Sequence, residues 1–190
     1  MNPPRIHLPD EIIPGLWLGS KHVRIDLKEH ISTCFTHVVD ASNKQLPELL
    51  SSIPVFHVNL TDSAFSQLPL EEVSDFIQSA LECEDLAVGR RDDTEHGHNA
   101  NVHTSGKKKA NVLVHCNHGV SRSAALVMAY LIKSQGCTLK EAFFRVQSKR
   151  DVAQPNTGFM KQLIEFERRH HSGETSLGLG FGGTLQWKKG

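Results

Sequence analysis

The 190-residue sequence predicts a single α/β domain, with a central, mainly parallel sheet flanked by helices. Three observations predict it. Short β-branched runs alternate with segments of helical period. Those runs close on polar turn residues. The most apolar run, "NVLVHC" at 111–116, leads through one short loop into nine consecutive apolar residues at 124–132. A helix apolar on all sides is buried on all sides, so that stretch is the central helix. With 38% hydrophobic residues and 14 glycines, the chain has the apolar share of an ordinary globular domain.

Residues 1–11 read as an extension. "IIPGLWLGS" (12–20) gives two short extended pieces broken by Pro14 and Gly15. Ser20 can cap the following helix, in which Val23, Leu27 and Ile31 recur at spacing four. "HVVDAS" (37–42) is a strand ending in turn residues, and "IPVFHVNL" (53–60) is another, with "TDSAFSQLP" as its loop. Pro69 suits the first turn of a helix whose Leu70, Val73, Ile77 and Leu81 share a face, with Phe76 and Ala80 beside them. The pattern collapses over 89–110, "GRRDDTEHGHNANVHTSGKKKA", which reads as a disordered insert. Nothing in the spacing of His96, His98 and His103 fixes a metal-binding geometry, and no metal is expected. After the central helix, Thr138 and Glu141 form a capping box for the next one. "PNTGFMKQLIEFERRH" (155–170) gives a last amphipathic helix, with Phe159, Leu163 and Phe166 on one side. From Ser172 on, the chain is glycine-rich and aperiodic, so 171–190 is expected to be a flexible tail.

Lysines and arginines total 21, as do aspartates and glutamates, so the formal charge is zero. A nucleic-acid-binding protein would show a basic excess. No apolar stretch approaches the roughly 20 residues of a membrane span. The opening "MNPPRIHLPD" lacks a signal-peptide core and a myristoylation glycine. The four cysteines, at 34, 83, 116 and 137, form no Cys-x-x-Cys pair and no disulfide-like framework. They are expected as reduced thiols in the cytosol or nucleus. Cys34, Cys83 and Cys137 read as small buried or partly buried hydrophobes.

Cys116 stands apart. A strand feeding a short loop that opens a helix gathers backbone N–H groups that lack intrahelical partners. The helix adds about half a positive charge there, making a site for an anion such as phosphate. Gly119 lets the chain turn and an anion approach closely. Arg122 supplies a planar fork of donors for two phosphate oxygens. Asn117, His118, Gly119, Val120, Ser121 and Arg122 are thus the candidate phosphate-binding residues. The same groups favour a thiolate at Cys116. The chemistry implied is attack of sulfur on phosphorus, then hydrolysis of the cysteinyl-phosphate. Ser123 can donate to the sulfur and improve it as a leaving group. His115 can orient the loop. The leaving oxygen needs a proton, and Asp62, just past the end of the strand at 53–60, can face the same crevice as general acid and then base. Asp40 sits inside its strand's last turn, and Asp92 and Asp93 lie in the insert.

His115-Cys116, five residues, then Arg122-Ser123 is the signature of the cysteine-based protein phosphatases. "VHCNHGVSRSAALVMAYL" resembles the dual-specificity phosphatases in particular, as do "IIPGLWLGS", "THVVDAS", "IPVFHVNLTDS" and "QPNTGFMKQLIEFE". The resemblance covers Ile12 to Arg169, apart from the insert, and implies a protein-tyrosine-phosphatase-like catalytic domain over 12–170. It implies hydrolysis of phosphotyrosine and phosphoserine or phosphothreonine on proteins, without metal or other cofactor. Cys116 is then the nucleophile, Arg122 the phosphate clamp, Asp62 the general acid and Asn156 a support of the loop. Two departures stand out. His118 occupies a position that is commonly small. Asp62 lies 54 residues before Cys116, and removing the insert restores the family's usual spacing. Expected partners are phosphorylated proteins and protein kinases, with a monomer in the cytoplasm or nucleus. The alternatives are a non-catalytic phosphoprotein-binding module, or the same chemistry on a phosphoinositide, an RNA 5′-triphosphate or a phosphorylated glucan. Sulfur transfer also uses a loop cysteine but has no need of Arg122-Ser123 leading into the helix.

Overall fold

The computed structural model describes residues 8–26, 34–43, 53–82, 110–179 and 184–188. Of the insert at 89–110, only Ala110 is described. Its three histidines, Asp92 and Asp93, together with Leu27, Ile31 and Cys83, lie outside the described residues.

Five strands form one sheet. β1 (Asp10–Ile13) and β2 (Leu16–Ser20) are an antiparallel pair; β3 (His37–Asp40), β4 (Val55–His57) and β5 (Val112–Cys116) complete the order β1-β2-β5-β3-β4. All pairs except β1–β2 are parallel. Parallel neighbours bring carboxyl ends together: Ser20 pairs with Cys116, and Asp40 with His115. β5, fully buried, is the middle strand.

The sheet's two faces follow the alternation of its side chains. Leu16, Leu18, Val39, Val112, Val114 and Cys116 belong to the main core. Val38 and Leu113 join Val23 and Phe35 in a smaller core on the other face, with Trp17 packed against it. α1 (Lys21–Asp26) starts behind Ser20, whose hydroxyl accepts the His22 amide at 3.3 Å. α2 (Leu70–Glu82) buries Leu70, Val73, Ser74, Ile77 and Ala80. The carbonyl of Pro69 accepts its first bond, from Val73. α3 (Arg122–Gln135) is the central helix, with every residue from 122 to 132 buried. It stops at Gly136, whose φ of +64° suits a left-handed cap. α4 (Leu139–Lys149) begins on the complete Thr138/Glu141 capping box. α5 (Thr157–His170) is capped by the Asn156 side chain.

Four sequence expectations are corrected. β4 has three residues, not the eight of 53–60. Pro54 cannot donate to a ladder, and past His57 only the Val58 amide still reaches Asp40, before the chain turns away. β1 begins at Asp10, inside the supposed extension, where Arg150 holds the Asp10 carboxylate and the Leu8 carbonyl. Cys34 is exposed rather than buried. The expected structureless tail forms a hairpin of β6 (Leu177–Leu179) and β7 (Leu185–Trp187). Trp187 packs on the Phe143 and Phe144 rings of α4, with centroids 5.2 and 5.7 Å away. Beneath the hairpin, the Glu167 carboxylate, 1% exposed, accepts from the Leu139 and Ser176 amides and from the Thr175 and Ser176 hydroxyls.

Candidate active site

The loop from Cys116 to Arg122 lies where β5 ends and α3 begins. Gly119 turns it, with φ +68°. A Cβ at this position would lie 2.6 Å from the Gly19 carbonyl oxygen, so the bare Gly119 lets the loop rest directly on the backbone at the end of β2.

Outer bonds orient the loop's peptides. Arg150, 2% exposed, donates from Nε to the Gly119 carbonyl at 2.7 Å and from Nη2 to that of His118 at 3.3 Å. The Gln154 amide donates to the Val120 carbonyl at 2.8 Å. In a planar trans peptide the C=O and the next N–H point opposite ways. Drawing three carbonyls outward therefore turns the amides of Gly119, Val120 and Ser121 to the other side. The Gly119 amide indeed donates to Cys116 Sγ at 3.2 Å.

Cys116 is 1% exposed. Burial alone would raise its pKa. The Ser123 hydroxyl, the Ser123 and His118 amides and the Arg122 charge outweigh burial and hold the thiol below its ordinary value. Ser123 Oγ donates to the sulfur at 3.2 Å. Arg122 is 3% exposed, and its Nη1 donates to the carbonyls of Ala41 (3.2 Å) and Leu60 (3.0 Å). Its Nε lies 3.8 Å from Asp62 Oδ2.

Asp62 is held by its other oxygen. Oδ1 accepts from the Ser121 hydroxyl at 2.7 Å and from Asn156 Nδ2 at 2.9 Å. Ser121 Oγ in turn accepts the Asn156 amide at 3.1 Å, so Ser121 links loop, acid and α5 instead of capping α3. The structure thus gathers Cys116, Ser123, Arg122, Asp62, Ser121, Gly119 and Asn156. Val120 is half-buried beside them, Asn117 reaches sideways to Asn43 at 3.4 Å, and the His118 side chain is exposed. His115 is buried under the loop, with Nε2 3.6 Å from the Oδ1 of Asp40. Asp40 also accepts the Ser42 amide and faces His57 Nδ1 at 3.3 Å.

Sequence reasoning missed Arg150, Gly19 and Asp40 as supports of this site. Gly19 lay inside a quoted motif, and its partner Gly119 is 100 positions away. Arg150 ends a helix in a run of charged residues, where an exposed side chain is the ordinary reading. Among the described residues no group of three or more metal-ligating side chains could hold a metal ion. The arrangement can stabilise a buried thiolate and bring a carboxyl group and a guanidinium to the same opening.

Comparison with known proteins is consistent with this geometry. The family model for the dual specificity phosphatase catalytic domain matches residues 97–169. Human dual specificity protein phosphatase 26 is 33% identical over 171 residues, covering 86% of this chain and 69% of that protein. The putative tyrosine phosphatase 123R of Invertebrate iridescent virus 6 is 32% identical, covering 84% of this chain and 92% of that one. A MAP kinase phosphatase with leucine-rich repeats from Dictyostelium discoideum is 31% identical, but this chain spans only 16% of its length. The crystal structure of human DUSP28 superposes with a TM-score of 0.66 at 27% identity, covering 89% of this chain and 96% of that one. With a relative matched over most of both lengths, and a cysteine–arginine loop of this form, the chain belongs to the dual-specificity phosphatase family and is a protein phosphatase.

Proposed function

We propose that Cys116 is the nucleophile of a two-step hydrolysis of phosphotyrosine and phosphoserine or phosphothreonine in proteins. The observation that carries this reading is the sulfur's surroundings: a hydroxyl and an amide each 3.2 Å from Sγ, with the thiol pKa held down. In the first step the thiolate attacks phosphorus, the S–P bond forms, and the ester P–O bond breaks. Asp62 gives its proton to the leaving oxygen. Because Oδ1 is held by Ser121 and Asn156, Oδ2 is the oxygen that carries this proton. With Nη1 of Arg122 bound to two backbone carbonyls, its Nε and Nη2 edge meets the equatorial phosphoryl oxygens. In the second step water attacks phosphorus and passes a proton to Asp62, and the sulfur leaves as a thiolate aided by the Ser123 hydroxyl.

Phosphorylated proteins are the substrates in this reading, protein kinases among them, as the name of the Dictyostelium relative suggests for that protein. The zero formal charge favours a signalling role on proteins over binding to nucleic acid. We place the activity in a cytoplasmic or nuclear monomer.

The test is a substrate trap. Asp62→Ala should keep binding phosphoproteins while turnover stalls, and Cys116→Ser should abolish hydrolysis of an aryl phosphate. An Asp62→Ala enzyme as fast as its parent on phosphopeptides would remove Asp62 from the scheme. An active Cys116→Ser enzyme would remove the covalent step. Inactivity of the parent on every phosphoester would favour the binding-module alternative.

A further inference from the structure

The loop that carries Asp62 is fastened to α5 at more points than Asn156. Gln162, one turn beyond Gly158 on the same stripe of the helix, clasps the loop with both ends of its amide. Nε2 donates to the Ser66 carbonyl at 2.8 Å, and Oε1 accepts the Leu68 amide at 2.9 Å. Gly158 supplies the contact between these anchors: a Cβ there would lie 2.0 Å from the Ala64 carbonyl oxygen and 2.4 Å from its Cα. Within the loop, the Ser66 amide closes a turn onto the Ser63 carbonyl at 3.1 Å, and the hydroxyls of Thr61 and Ser66 lie 2.8 Å apart. The cap residue Asn156 and residues 158 and 162 of α5 therefore hold positions 62, 64, 66 and 68 of one loop.

We propose that Gln162 is a positioning residue for the proton donor: its two hydrogen bonds, with the Gly158 contact, hold the 61–68 loop where Asp62 reaches the leaving oxygen. This rests on Asp62 being the general acid. A proton donor matters most when the leaving group is a poor one, and little when it is good. Loss of positioning should therefore depend on the leaving group, whereas general loss of folding should not.

The experiment measures kcat/KM for a series of aryl phosphates of rising phenol pKa, with the parent, Gln162→Met, Gln162→Glu and Asp62→Asn. Gln162→Met removes both hydrogen bonds at similar volume. It should lose at least about tenfold more on the poorest leaving group than on the best. Gln162→Glu keeps the acceptor for Leu68 and loses the donor to Ser66, so it should fall between. A loss equal across the series, or none, with Asp62→Asn steepening the dependence, overturns the clamp alone. An Asp62→Asn enzyme with the parent's dependence overturns the acid assignment and the clamp together.

Discussion

Ser123 acts on one atom, and its removal is read at that atom. Its hydroxyl and amide are among the groups that hold the Cys116 thiol below its ordinary pKa. The thiolate is the form present above that pKa, so losing the hydroxyl bond moves the rise of activity to higher pH. Ser123→Ala should shift the acid limb of kcat/KM upward, with the pH dependence of iodoacetamide alkylation at Cys116 shifting in step. An unmoved limb would show that the amides and Arg122 suffice. Cys116, Arg122 and Ser123 were legible in the sequence because a single turn of loop holds them and their spacing survives folding. Asp62 was legible through its place after a strand and through the family resemblance, but its oxygen-by-oxygen attachment to Ser121 and Asn156 was not. Those bonds span 59 and 94 positions, and no local pattern encodes them.

At the scale of elements, α4 and α5 appeared in the sequence to within two residues at each end, because apolar periodicity and caps are local, whereas α3 showed only its apolar middle, 124–132 of Arg122–Gln135. β4 did not, because a strand's end is set by the neighbour it pairs with, and β3 ends at Asp40. The link between β1 and the loop was hidden as well, since it passes through Arg150, whose Nη1 meets Asp10 Oδ2 at 2.7 Å. Arg150→Met should lower stability in urea unfolding by about 3 kcal/mol, since it leaves carbonyls and a carboxylate without their cation. It should also raise the inhibition constant for vanadate. Asp10→Asn, which spares the bonds to His118 and Gly119, should cost less stability and leave vanadate inhibition where it was. If both variants shift vanadate equally, Arg150 acts through the β1 connection and not through the loop's peptides.

For the molecule as a whole, the least legible part was the C-terminal hairpin. Strands of three residues among glycines carry too few side chains to show alternation, and their anchor, Glu167, looks like one more charge on an amphipathic helix. Glu167→Ala would leave the Leu139 and Ser176 amides without an acceptor, at a cost of about 3 kcal/mol. The expected result is a lower unfolding midpoint and earlier proteolysis near residue 175, with the Cys116 alkylation profile unchanged. A profile that moved would mean that the hairpin is coupled to the distant loop. The order of the sheet has its own consequence in time. The strand bearing Cys116 is inserted between β2 and β3, both made long before it. While the chain emerges from the ribosome, those two earlier strands must wait with bare edges for their shared neighbour, and bare edges invite foreign pairing. Those edges gain their native partner only once β5 is available, and the loop that carries Cys116 is set at the end of the same strand that covers them.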